Sequence, residues 1–407
     1  MGVEAIASWA KKKGITVVGT GDFTHPVYFS ELKAKLTPTG RGLFTLKKSG
    51  ILQPPDVFFM LSGEVSTIFT QGGKLRKIHL CLFIPGFDEA EKIILSLSKI
   101  GKLSSDGRPT FGMSARELVM RIINVSPHCV VVPAHAWTPW FSLFGAHSGF
   151  DSIEESFGDQ AQHIFAIETG LSSDPEMNWR LSSLDRLALI SNSDAHSPGK
   201  LGREANVFDC APDYGEMVDA LRKKDPKRFL YTIEFFPQEG KYHYDGHRAC
   251  SVVMGPEETK KNKGLCPVCG KKVTVGVMNR VNALADRPSG YVPPGAIPAR
   301  HLIPLEEIIA GALEAHVGTK GVMDEYEKIV AKGGTEFSVL LDLSHEDLLR
   351  IAPPRVVEGI KRVREGRVKI APGYDGVYGK IEIFGGEEQG QSPSGTVQNP
   401  PQQMSLF

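Results

Sequence analysis

Eight side chains spread over the first half of the chain have the types that a hydrolytic metal centre uses: Asp22, His25, Glu64, His79, His135, Glu168, Asp194 and His196. They offer carboxylate oxygens and imidazole nitrogens and no thiolate. That mixture suits zinc, manganese or iron in a site where carboxylates bridge or share ions. Ions held a few ångströms apart lower the pKa of a bridging water and neutralise charge building on phosphoryl oxygens, so no protein nucleophile is needed. The tightest pair is Asp194-Ala195-His196. On an extended segment, residues two apart face the same way, so both are expected to reach one cluster. A different chemistry lies further along, in His247-x2-Cys250-x15-Cys266-x2-Cys269, a Cys3His set at structural-zinc spacing. The glycine in CPVCGK permits the tight turn that aims both thiolates inward. His243 competes with His247 for the fourth position, and a closed four-ligand site points to scaffolding.

The elements that must position the first set repeat one theme. A short apolar run leads to a turn and then to an acid or a histidine: Ile15–Val18 into GTGDFTHP, Val57–Leu61 into SGEVS, Cys129–Val132 into PAHAW, His163–Ile167 into ETG, and Leu187–Ile190 into SNSDAHSP. His79 lies inside the run KIHLCLFIP. Helix-period segments at 87–99 and 113–124 lie between the runs, and strand alternating with helix favours a parallel α/β sheet, closed or open. In a barrel of parallel strands the carboxyl ends converge on one mouth, so these residues are expected to share a pocket. The texture becomes Gly- and Lys-rich and weakly periodic near 240. Helical patterns return from 301 to 370, followed by a strand pair in KIAPGYDGVYGKIEIF, and a Gly/Ser/Pro/Gln tract reads as a flexible linker. The expected units are 1–238, 239–300, 301–384 and a tail, 385–407. No solenoid-type repeat is seen.

With 407 residues, 41% of them hydrophobic and 23% charged, the chain is neither disordered nor fibrous. Lys+Arg 47 against Asp+Glu 47 gives no global basic field, so any polyanion must be met through local patches or metal ions. Two stretches, 256–280 and 355–369, each hold six basic and two acidic side chains, enough to contact phosphates. No apolar run approaches the roughly 20 residues that span a bilayer, and no signal peptide opens the chain. The expected location is cytoplasmic and nucleoid-associated. Cys81, Cys129 and Cys210 read as isolated buried thiols, whereas Cys250, Cys266 and Cys269 cluster as metal ligands do in a reducing compartment.

GTGDFTHP, LSGEVS, KIHLCLFIP, PAHAWTPWFSLFG, ETGLSSDPEMNWR and SNSDAHSPGKLGREAN resemble successive motifs of the PHP (polymerase and histidinol phosphatase) metallohydrolases. With the zinc module that follows, the chain from residue 1 to about 384 resembles the endonuclease Q family of DNA-repair nucleases. The resemblance implies an α/β fold: a distorted (β/α)7 barrel, then a small zinc-binding module and a mixed helical C-terminal region. It also implies a multinuclear metal site and an enzyme that nicks DNA 5′ of uracil, hypoxanthine, xanthine or an abasic site, leaving a 3′-hydroxyl and a 5′-phosphate. By position, Glu64, His79, His135, Asp194 and His196 fall on metal-ligand positions, with Glu64, His135 and Asp194 as the catalytic core. Asp22 and His25 compete for one further ligand role. Glu168 lies either behind the ligands or facing DNA. Zinc is implied in both sites, with magnesium or manganese as alternatives in the catalytic one. The superfamily's opening D-x-H-x-H strand has no counterpart here. The expectation is a start further upstream; the alternative is a site without two ligands and one strand.

A base must leave the stack to be inspected, and Trp137, Trp140 and Phe141, next to His135, have the aromatic density to stack on an extruded nucleotide. His147 and His163 read as ordinary histidines. The final residues Gln403, Met404, Ser405, Leu406 and Phe407 resemble the bacterial sliding-clamp binding pentapeptide, which on a linker would raise the local concentration of nuclease at clamp-loaded DNA. The expected partners are therefore DNA carrying deaminated bases and the clamp, with no membrane. Two rival readings stand beside this one: a small-molecule phosphoesterase, and a non-catalytic DNA- or clamp-binding protein.

Overall fold

The computed structural model describes residues 1–47, 56–105 and 108–385. The expected strands around the first set of side chains form, and they are mixed in direction. The relevant ones are β1 (Val17–Gly19), β2 (Phe58–Gln71), β3 (Lys74–Ile84), β4 (Val130–Pro133), β5 (Ala166–Glu168), β6 (Ala188–Ile190), β7 (Ala205–Phe208), β8 (Phe229–Glu234) and β9 (Ala299–His301). β1 runs parallel to β2, but β2–β3 and β3–β4 are antiparallel, which corrects the expectation of an all-parallel sheet. The cause is local. Gly72 and Gly73 both have positive φ, 59° and 71°, between the paired residues Gln71 and Lys74. A two-residue hairpin of that kind returns the chain antiparallel at once, with no helix between.

β5 and β6 form a separate parallel pair, and β8 lies between antiparallel β7 and parallel β9. The hydrogen-bonded ladders are therefore three sheets facing one cavity. At the gap between β6 and β7, Asn206 completes the backbone pairing with its side chain: its Nδ2 donates to Ser191 O (2.7 Å) and its Oδ1 accepts from Ser191 N (2.9 Å).

Helices Phe87–Ser98 and Ala115–Val125 bury Ile93, Leu97, Leu118 and Ile122 against the sheet, as their periodicity predicts. Ser114 caps the second by accepting from Glu117 N at 3.1 Å. A second apolar cluster joins helices Leu305–Ala312, Lys320–Gly333, His345–Ile351 and Pro354–Arg364, and 369–371 pairs with 380–382. The first helix, Val3–Lys13, ties the two clusters together. Trp9 packs on both, and Lys13, with 2% of its side chain exposed, pairs with Glu336 at 2.5 Å. Among the described residues no helix is long and apolar enough to cross a membrane.

Candidate metal centre

Glu64 sits mid-strand in β2, not at a strand end as its motif suggested, and the register Glu64↔Cys81, Ser66↔His79 explains its position. Side chains opposite one another in an antiparallel pair share a face, so Glu64 and His79 are diagonal neighbours on one side of the sheet. His79 Nδ1 lies 3.0 Å from Glu64 Oε1. His135, just past β4, brings Nε2 to 3.4 Å from the same oxygen and 3.0 Å from His79 Nδ1. Thr138 Oγ1, 2.9 Å from His135 Nδ1, has the carbonyls of Trp140 and His135 to receive its one proton. It can therefore accept from Nδ1–H, which leaves the Nε2 lone pair turned inward, as a metal ligand requires. Glu168, buried at the end of β5, accepts His135 N–H at 2.8 Å and Asn192 Nδ2–H at 2.9 Å. It thus lies behind the ligands. Gly170 packs so closely on His135 that a Cβ there would lie 2.7 Å from the His135 Cβ.

The electrostatics follow from burial. Burial pushes the Glu64 carboxyl up, yet the adjoining His135 and His79 imidazoles and Arg108 outweigh it and hold Glu64 well below the usual carboxylate range. Burial lowers His79 despite Glu64, whereas His135, also opposed by burial, is raised by Glu64, Glu168 and Asp194. Burial pushes Glu168 up to about 7 against the pull of His135 and Asn192. Asp22 is raised by burial and by the charge of Glu64. The donor set fits a divalent ion. Glu64 Oε1 is buried without a hydrogen-bond partner, and the three facing atoms stand 3.0–3.4 Å apart, near the ligand–ligand spacing that bonds of about 2.1 Å produce.

Asp22, His25, Glu168, Asp194 and His196 line the same cavity as Glu64 and His135, with a volume of about 1050 Å³. The tight three-residue group, however, is Glu64, His79 and His135. Asp194 and His196 stay at the rim, with 41% and 79% of their side chains exposed. The expected extended D-x-H segment is absent, because Asp194 has φ 43° and its own carbonyl oxygen lies 2.9 Å from His196 Nδ1. Asp22 and His135 also adopt positive φ, 41° and 31°. Such backbone strain in non-glycine residues, of order 1–3 kcal/mol each, concentrates where surroundings hold a functional geometry. Arg108, which no motif marked, reaches into the cavity and pairs with Glu64 Oε2 at 2.9 Å.

In the second set, ligand atoms of His247, Cys250, Cys266 and Cys269 lie within 4.8 Å of one another, with Cys269 Sγ 3.5 Å from His247 Nδ1. Gly270, at φ 71°, makes the knuckle turn. His243 is not part of this group. It is 4% exposed and lies under the charge of Asp174.

The aromatic segment divides. Trp137 is 1% exposed, donates its indole N–H to Asn178 Oδ1 (2.8 Å) and packs on Phe144, so it is core and corrects the expectation of a DNA contact. Trp140 is 42% exposed, stacked on His147 and edge-on to Tyr242. Phe141 packs on His79. The basic stretch 355–369 is also largely committed within the fold. Arg355, Arg362 and Arg367 pair with glutamates, and Arg364 donates to the carbonyls of Val339, Leu340 and Leu343. Gln403–Phe407 lie outside the described residues.

Known proteins share this chain's sequence and architecture. Residues 304–367 match the family model "MJ0043 C-terminal domain". The Bacillus subtilis (strain 168) protein YqxK is 30% identical over 379 residues, 92% of this chain and 90% of YqxK. Protein MJ0043 of Methanocaldococcus jannaschii is 35% identical over 256 residues, 61% of this chain but only 31% of that longer protein. Among solved structures, the lesion-specific endonuclease PfuEndoQ from Pyrococcus furiosus superposes with a TM-score of 0.81 at 29% identity, covering 94% of this chain and 92% of its own. The chain belongs to the endonuclease Q family. An endonuclease Q bound to a 27-mer duplex with an abasic lesion at its active site is similar over 95% of this chain and 93% of its own, with a TM-score of 0.79 and 29% identity. The fold is thus the mixed α/β fold of endonuclease Q, and its solved neighbours are nucleases.

Proposed function

We propose that this chain is a metal-dependent DNA endonuclease that nicks on the 5′ side of a deaminated or abasic nucleotide. The observation that carries the reading is the convergence of His79 Nδ1 with Glu64 Oε1 and His135 Nε2, the latter two residues lining a cavity that also holds Asp22, His25, Asp194 and His196. A divalent ion bound there would supply the Lewis acidity that activates water and neutralises charge on a phosphoryl group. Zinc or manganese suits the donors. Glu168 holds the His135 backbone through its N–H, and Thr138 holds the imidazole at Nδ1. Arg108 presents a cation beside Glu64 that can receive a phosphate oxygen.

Lesion choice rests on the wall beyond His135. Trp140 and Tyr242 close a smaller cavity of about 200 Å³ lined also by Ser172, Pro237 and His243, a place for an extruded base against an aromatic face. Exposed Lys260, Lys261, Lys263, Lys271 and Lys272 around the Cys3His group have no carboxylate partner among the described residues and would track the backbone. Zinc at that group would be structural, and the final pentapeptide would dock on a sliding clamp. The test is incubation with duplexes carrying deoxyuridine, deoxyinosine or an abasic site, beside undamaged duplex and a small phosphate ester. Lesion-dependent nicking that Asp194→Asn and chelator abolish is expected. Ester hydrolysis without nicking would replace the reading with a phosphoesterase.

A further inference from the structure

The 168–178 segment carries part of a second polar nest, whose Asp174, Glu176 and His301 the nuclease reading does not use. Asp174, Glu176 and His301 bring ligand atoms within 4.8 Å of one another, although His301 is more than 120 residues further along the chain. We propose that these three side chains form a divalent-cation site, distinct from both the Glu64 cluster and the Cys3His group.

The geometry is that of ligands. Asp174 Oδ1 accepts from Met177 N at 2.9 Å, which fixes the carboxylate and turns Oδ2 toward His301. Oδ2 stands 3.4 Å from His301 Nε2. That is long for an N–H···O bond but equals the edge of a tetrahedron with metal bonds of about 2.1 Å. Glu176 Oε2 is buried with no hydrogen-bond partner. The His301 ring packs at a tilt on Phe236, with centroids 5.2 Å apart and planes 37° from parallel.

The surroundings also call for a cation. Glu234, 0% exposed, has Oε1 unpartnered, and His243, 4% exposed, has Nδ1 unpartnered. Both lie within Coulombic reach of Asp174. Three carboxylates share the nest with two imidazoles; against the cost of burial, Asp174 raises its partner His301 to about 9, and no lysine or arginine adds a second cation among the described residues. Buried charge of one sign is costly unless it is paired, protonated or coordinated. Two carboxylates and one imidazole suit a first-row divalent ion, zinc or manganese, with Glu234 or water available to complete the shell.

The consequence is mechanical. Asp174 and Glu176 follow the segment that holds His135, while His301 belongs to β9, at the entry to the C-terminal helices. Thr169 Oγ1 donates to Glu234 Oε2 at 3.0 Å and so continues the nest to the residue beside Glu168. A bound ion would staple the C-terminal part of the chain to the loop behind the Glu64 cluster.

The test counts ions. The whole protein is stripped, reloaded with zinc and dialysed for elemental analysis, and a second portion is titrated with Mn2+ followed by electron paramagnetic resonance. Glu176→Gln and His301→Ala are expected to hold one equivalent fewer than wild type for at least one of the two metals. Glu64→Gln should lose a different equivalent, so that Glu64→Gln combined with Glu176→Gln loses both. Circular dichroism establishes that each variant is folded. Should His301→Ala fail to fold, the near-isosteric Glu176→Gln decides. Equal stoichiometry and affinity of Glu176→Gln and wild type for both metals would overturn the site and leave the nuclease reading untouched.

Discussion

Gly170→Ala is a one-methyl change aimed at His135 from behind. The added Cβ would lie 2.7 Å from the His135 Cβ and 2.9 Å from its Cα, with the backbone at φ 60°. Left-handed backbone costs alanine roughly 1–2 kcal/mol, and overpacking adds about 1–3 kcal/mol. Carbon atoms settle at about 3.5–4.0 Å, so His135 or the 168–172 segment must retreat by roughly 1 Å. His135 Nε2 stands 3.0 Å from His79 Nδ1 and 3.4 Å from Glu64 Oε1, and a retreat of that size takes it out of the group. Misplacement by about 1 Å lowers a rate on the order of 100-fold. Gly290→Ala is the control, since Gly290 has φ 80° and open space around its Cβ position, so only the backbone cost applies. The assay compares Mn2+ affinity, nicking of an abasic-site duplex and denaturant stability for both variants. If Gly170→Ala matches Gly290→Ala in metal affinity and nicking, the packing argument is wrong.

Four further outcomes are expected. Trp137→Phe strips Asn178 Oδ1 of its donor and should destabilise the fold by about 1–3 kcal/mol. Trp140→Ala should change stability by less than about 0.5 kcal/mol yet cost about 1–3 kcal/mol of stacking on a lesion-bearing duplex; denaturant melts and binding titrations read the two, and the reverse pattern would reverse the placement. Burial holds His243 down to about 4, below the ordinary 6.5, so the unfolded chain binds more protons between these values. Stability therefore falls as pH drops from 6.5 to 4, by up to about 3 kcal/mol, and His243→Gln should flatten that part of a stability–pH curve. Lys13→Met leaves buried Glu336 without its cation and should cost about 3–5 kcal/mol in urea unfolding, with Glu336→Gln in the same chain restoring part of it.

Residue types and spacings carried much of the site. Asp, Glu and His recurring at run ends announced a cavity lined by Asp22, His25, Glu64, His135, Asp194 and His196, and the Cys3His spacing announced four ligand atoms within 4.8 Å. The antiparallel hairpin was also readable, in the Gly72-Gly73 pair, but the alternation of runs and helices pointed to parallel strands. Arg108 and Thr138 had no local signal, because a single arginine or threonine in a loop acquires meaning only from what faces it. The same holds for Trp137 and Trp140. Three residues apart in one aromatic segment, they are told apart only by the Asn178 oxygen that buries one indole.

Local chemistry is written along the chain: which groups can donate lone pairs, where glycine admits positive φ, which spacings let thiolates meet. The sequence by itself therefore determined the ligand types, the knuckle and most helices. Contacts between residues far apart in the chain depend on strand register and on the closing of loops around a core. Only the tertiary structure decided that His79 lies diagonal to Glu64, that His247 rather than His243 meets the three cysteines, and that His301 reaches back to Asp174 and Glu176.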